Sequence, residues 1–188
     1  MIIKKYELTN ESIVHEGVTL YRIRALKDFG RVKKGDLGGF IEKESNLSHK
    51  GNCWVFDDAR VYGTVFVYAQ ANVSDNAQVY DNASLGGRAW VYNDARVGGN
   101  ARVWDSARVF GDAWVYGTAQ VYGFARVYDD ARVYDGAIVL DHVVVYGHAR
   151  VFEHGHLVGI VRVFDFAVIK GMVDVDRVED ICGDSVVA

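Results

Sequence analysis

Ala101-Arg102-Val103-Trp104-Asp105-Ser106, Ala107-Arg108-Val109-Phe110-Gly111-Asp112, Ala113-Trp114-Val115-Tyr116-Gly117-Thr118: this stretch states one six-residue pattern three times. Its Ala and Val stand two apart, and in a strand residues two apart share a face. The two side chains therefore point the same way, with Arg102, Arg108 and Trp114 pointing the other way. The last two positions of each hexad are mostly Gly, Asp, Ser or Thr, which accept a positive φ or bond their own backbone in a turn. Each hexad is one short strand followed by one corner.

Outward from this stretch the aliphatic mark recurs every six residues. It runs from Val55, Val61, Val67 and Val73 through Val139, Val145, Val151, Leu157, Val163, Ile169 and Val175 to Ile181, and no insertion interrupts the count. A fixed period of six in a stacking unit predicts a parallel β-helix. The number of sides follows from the second corner position. Asp occupies it at Asp58, Asp94, Asp112, Asp130 and Asp184, all separated by multiples of 18 residues. A two- or four-sided coil would scatter these carboxylates; a three-sided coil aligns them on one edge. Three walls converging on a narrow axis leave room for Ala beside Val and for little more. The expected fold is all-β, a three-sided prism with valines and alanines in the bore.

The pattern of an aliphatic residue followed four later by a small one resembles that of the hexapeptide-repeat proteins. The resemblance covers about three quarters of the chain. It implies a left-handed coil, the fold of the trimeric hexapeptide acyltransferases; the period alone implies only the prism. The lead-in Lys34-Gly35-Asp36-Leu37-Gly38-Gly39-Phe40-Ile41-Glu42 with Gly51-Asn52-Cys53-Trp54-Val55 is similar to bacterial and phage hexapeptide-repeat proteins described as transferase-like without a demonstrated substrate. That similarity implies a bacterial or phage origin.

Length and composition set the remaining bounds. At 188 residues the chain suits one domain with a small appendage. A net charge of −4 gives no general pull toward nucleic acid or an anionic membrane. No apolar run reaches membrane-spanning length, and Met1-Ile2-Ile3-Lys4-Lys5-Tyr6-Glu7 lacks the apolar core of a signal peptide. The expected location is the cytoplasm, with no membrane and no nucleic-acid partner. Proline is absent, as suits a chain of central strands. Cys53 falls in an inward slot and Cys182 in an outward one, roughly 30 Å apart at the coil spacing of a parallel sheet, so no disulfide joins them.

Residues 1–46 follow no hexad and are expected to form an N-terminal β cap, with the β-helix over 47–188. Ile13-Val14 and the run from Thr19 to Leu26 read as two strands turned at His15-Glu16-Gly17. Lys33-Lys34-Gly35-Asp36 and Gly38-Gly39 read as turns. A solenoid needs a terminal element over its open core. The basic cluster Arg22, Arg24, Lys27, Arg31, Lys33 and Lys34 reads as a solvated face, with an anion site as the alternative.

On the outer faces, the residue after each mark is often aromatic. One column holds Tyr92, Phe110, Tyr128, Tyr146 and Phe164; another holds Tyr62 and Tyr80, then, after Gly98, Tyr116, Tyr134 and Phe152. Beside them stand Arg108, Arg126 and Arg132, among others. Such ladders either shield the sheet by stacking or, with Arg, present a surface to a protein partner. The Asp-rich edge reads as turn chemistry, with divalent-cation ligation by Asp94, Asp112 and Asp130 as the alternative. From Phe124 onward the exterior turns apolar at Phe124, Ile138, Leu140, Val158 and Ile160, the signature of an association surface and of a homo-oligomer, dimer or trimer.

The hexapeptide acyltransferases use a histidine base at a groove between subunits. The candidates in this chain are His142, His148, His154 and His156. The first three share a corner slot on successive corners of one coil, so within one chain they diverge. Two readings follow. The preferred one is a non-catalytic binding and assembly protein that oligomerises and presents its aromatic and Arg ladders to a protein partner, in a phage a host component, with no cofactor. The alternative is an acyl- or acetyltransferase with an intersubunit site built on His148, His154 or His156.

Overall fold

The computed structural model describes residues 4–187, the side chains of 175–178 aside. The repeat winds as read. Two-residue strands from Trp54–Val55 to Val186–Val187 alternate with two-residue turns, and each strand pairs in parallel with the one a coil later. Thus Arg96–Val97 pairs with Trp114–Val115, and Trp90–Val91 with Arg108–Val109. Backbone N–H groups donate from coil to coil, as Arg96 N does to the Ala113 carbonyl at 2.9 Å and Gly98 N to that of Val115 at 2.9 Å.

Three faces result. The first carries Trp54, Asn72, Trp90, Arg108 and Arg126 outward; the second Arg60, Gln78, Arg96, Trp114, Arg132 and Arg150; the third Phe66, Ser84, Arg102, Gln120 and Ile138. The marks from Val55 to Ile169 and the inward alanines two residues before them, from Ala59 to Ala167, are fully buried. This bore is the core of the molecule, and its repeated burial of apolar area drives the coiling.

The corners from Asp57 to Asp165 share one feature. Their first residue sits in the left-handed region, mostly Gly (Gly111, φ 67; Gly117, φ 70) or Asp (Asp105, φ 55; Asp129, φ 55), with Ala69, Asn93 and Glu153 there as well. An L-residue reaches that region at a cost that Gly avoids and that Asp and Asn offset by local hydrogen bonds.

At the N-terminus, β1 (Tyr6–His15) and β2 (Val18–Ala25) form an antiparallel hairpin turned at Glu16 and Gly17. Next, β3 (Leu37–Ile41) pairs antiparallel to β2 on one side and parallel to Arg60–Val61 on the other. It converts the hairpin's sheet into the second face of the prism. Gly38 and Gly39, read as a turn, lie inside β3. A Cβ there would come within 2.5 Å of the Val55 and Ala59 carbonyls, so this close crossing is what the glycines serve. Ile41 opposes Val61 and Leu47 bridges Val67, so β3 leads directly into the coils.

The mouth of the bore is plugged by Lys5. It is fully buried and donates from Nζ to the Cys53 carbonyl at 2.8 Å, with Cys53 Sγ 3.2 Å away. Burial pulls this ammonium below the usual lysine range and pushes the Cys53 thiol up. Both cysteines are free.

The last coil departs from the count. His156–Val163 runs as one strand through a corner, at Gly159, and Met172–Ile181 pairs beside it. Val173 opposes Leu157, and Val175 opposes Gly159; a bulge then restores Ile181 opposite Val163. The inward slot read for Val175 is taken in the backbone register by Val173, which is buried; the Val175 side chain lies outside the described residues. The corner between Ile169 and Val173 is two residues short, and the chain then runs extended through the corner that the count places at Arg177.

Candidate functional site

With the bore sealed, functional chemistry falls to the faces and edges. The ladders form as read. Tyr92, Phe110, Tyr128, Tyr146 and Phe164 stack with successive centroids 4.7, 4.7, 5.1 and 5.0 Å apart. Tyr116, Tyr134 and Phe152 stack at 4.9 and 4.7 Å. Interplanar angles of 3° to 14° mean that each inner ring spends both faces on its neighbours. What the ladders present outward is ring edges and hydroxyls, a poor platform for stacking bases. Burial pushes the phenols of Tyr92, Tyr116, Tyr128 and Tyr134 up, and neighbouring guanidiniums pull them partly back.

The interruptions are structural too. Gly98 lies under the ring of Tyr80 and Gly86 under that of Tyr68; a Cβ at either would come within 2.4 Å of the ring. Each tyrosine folds over the glycine of the following coil and covers its exposed backbone.

On the coils the arginines find tryptophans as aromatic partners. Arg96 and Arg132 pack on Trp114 at 4.9 and 5.6 Å, and Arg102 on Trp104 at 5.5 Å. Arg108 and Arg126 stand exposed beside the first ladder. The cap's basic cluster is largely self-paired. Arg22 reaches Glu11 at 2.7 Å and Asp58 at 3.3 Å, Arg24 pairs with Glu7, and Lys33 with Asp28 at 3.1 Å.

The acidic edge lies between the first and second faces. The first-corner carboxylates Asp57, Asp75 and Asp129 each accept from the backbone N–H one coil on, at Asp75, Asn93 and Gly147, over 2.8 to 3.3 Å. That is turn chemistry. At the second corner position Asp94, Asp112 and Asp130 project to solvent; Asp94 accepts from Asn76 Nδ2 at 3.2 Å, and Asp130 lies 3.7 Å from His148 Nδ1. Among the described residues no three His, Cys, Asp or Glu side chains converge as a metal site.

The histidines occupy separate surfaces. His142 stacks on Phe124 at 5.0 Å at the third–first corner, and His148 on Phe166 at 5.1 Å at the first–second corner. His154 is exposed at the remaining corner, and His156 stands half-buried on the third face opposite Ile138. The structure brings no two of them together.

The apolar residues do gather. Ile138, Leu140 and Val158 are half-buried on the third face, and Phe124 (60% exposed) and Ile160 (43%) line its corner. Two features escaped the sequence reading: the Lys5 plug, which no periodicity marks, and Trp114 clasped by Arg96 and Arg132, which their spacing of 18 residues already held.

Comparison with known proteins agrees with this architecture. A family model described as the YdcK beta solenoid repeat matches residues 125–141. The chain is also similar to a protein of Escherichia coli (strain K12) named "Uncharacterized acetyltransferase YdcK". The two are 31% identical over 94 residues, covering 39% of this chain and 29% of the relative. The chain thus spans less than a third of that relative.

Proposed function

We propose that this hexapeptide-repeat β-helix protein is a rigid binding and assembly element. It associates with itself through the third face and offers its remaining ladders to a protein partner. The observation that carries this reading is the gathering of Phe124, Ile138, Leu140, Val158 and Ile160 on the third face and its corner. In a phage-encoded protein the partner would be a host component, and the site of action the cytoplasm. The test is sedimentation of the wild type against Phe124→Asp/Ile160→Asp. The wild type sediments as an oligomer in high salt and the variant as a monomer; a monomeric wild type overturns the reading.

The named relative favours a second reading, an acetyltransferase whose site is completed between subunits. Within one chain, His148 is the candidate histidine with a carboxylate near it, Asp130 at 3.7 Å, which must close by about half an ångström to orient the imidazole as a base. Its test is transfer from acetyl-CoA to a panel of amines and alcohols. Turnover lost in His148→Ala establishes this reading and displaces the first.

A further inference from the structure

The second face and the acidic edge beside it carry two charge rows that share one pitch. Outward on the face stand Arg60, Gln78, Arg96, Trp114, Arg132 and Arg150, one per coil. At the second corner position of the same coils stand Asp58, Asn76, Asp94, Asp112, Asp130 and His148. The rows match at four of their six levels, Arg60 with Asp58, the amide Gln78 with the amide Asn76, Arg96 with Asp94 and Arg132 with Asp130; at the other two, Trp114 stands beside Asp112 and Arg150 beside His148.

These neighbours do not satisfy one another. Among the described residues, none of Arg60, Arg96, Arg132 and Arg150 has a carboxylate within ion-pair distance, and Arg60 Nε is buried without an acceptor. Trp114 holds the guanidiniums of Arg96 and Arg132 on its ring. Arg132 and Arg150 are register partners, so two side chains of like charge leave neighbouring strands about 4.8 Å apart.

An extended peptide along the rod repeats its side chains every second residue, about 6.6 Å, and falls out of step with such a row. Another β-helix stays in step. We infer that the second face is a docking surface for a second copy of this chain, set side by side and parallel, about a two-fold axis along the rods. That operation lays the Arg row of each copy against the Asp edge of the other, so both contacts form in one isologous interface. A two-fold perpendicular to the rods would oppose Asp to Asp. This contact is separate from the third-face association proposed above and differs from it in salt dependence.

The test uses the full chain. Two variants are made, Arg96→Glu/Arg132→Glu and Asp94→Arg/Asp130→Arg, each checked for wild-type circular dichroism. Sedimentation is followed at about 20 mM and 500 mM salt, where the screening length falls severalfold. The wild type gains mass at low salt and loses it at high salt; each variant alone loses the low-salt gain; the two variants mixed recover it as a 1:1 complex. Wild-type mass independent of salt, or a mixture that stays dissociated, overturns the proposal. Phe124→Asp/Ile160→Asp keeps the salt-dependent step if the inference holds, so its failure is read apart from that of the third face.

Discussion

The coils around Val109 and the last coil around Ile181 are built from the same hexad and end differently. In the middle, every corner opens on Gly, Asp or Asn at positive φ, and the marks are wholly buried. At the end, Met172–Ile181 passes through a corner as one strand, and Val173 and Ile181 are 8% exposed. The aliphatic mark is present in both places. What differs is the corner: the middle coils turn at each left-handed slot, and the last one runs through as extended strand. Burial then rewards whichever register the corners permit.

The largest test of that contrast is a charge in the bore. Val109→Asp places an unpaired carboxylate where no water reaches, and stability falls by more than about 4 kcal/mol. Ile181→Asp, at the edge of the stack, costs about 1–3 kcal/mol; urea denaturation reads both. Next come the corners. Gly117 sits at φ 70 with the Asp135 amide 2.7 Å from where a Cβ would lie, whereas Gly183, at φ 68, has open space. Gly117→Val costs about 3 kcal/mol and Gly183→Val about 1, the first adding a clash to the same backbone strain. Equal losses would show that the corner geometry is uniform along the rod.

The ladders come third. Phe110 is stacked on both sides and Phe164 on Tyr146 alone among the described residues. Phe110→Ala lowers stability by about 1–2 kcal/mol and Phe164→Ala by about half that. The smallest effect lies in the cap. Hydrogen bonds from Lys4 and His49 hold the Glu44 carboxyl below the usual range. Its contribution is complete above the unfolded pKa of about 4.3 and is lost as pH falls through the depressed folded value. Glu44→Gln lowers stability slightly at neutral pH and leaves it nearly unchanged below the depressed folded value, so the acid side of the profile flattens.

Most of the prism was legible because a stacked coil forces identical chemistry onto identical positions. Val103, Val109 and the Asp positions 18 apart state the period, the interior and the number of sides. The cap was legible only as strands and turns. Gly38-Gly39 reads as a turn by composition but serves a strand crossing, and only the approach of the Val55 and Ala59 carbonyls shows it. The shift at Val173 was hidden because it removes two residues at one corner and restores them at the next, leaving Ile181 in step.

At the candidate site, the stacking of Tyr92 to Phe164 followed from the spacing of 18 residues. The choice of Trp114 over the tyrosines by Arg96 and Arg132 depends on side-chain direction, which spacing does not carry. The divergence of His142, His148 and His154 was readable from their corner slots. The 3.7 Å approach of Asp130 to His148 was not.

The coil itself is tested most directly by scalar couplings across backbone hydrogen bonds, measured by NMR on isotope-labelled, deuterated protein. The winding described here predicts couplings from the amides of Arg96 and Gly98 to the carbonyl carbons of Ala113 and Val115. Couplings from those amides to carbonyls four residues before them, or to partners one hexad away, would contradict it.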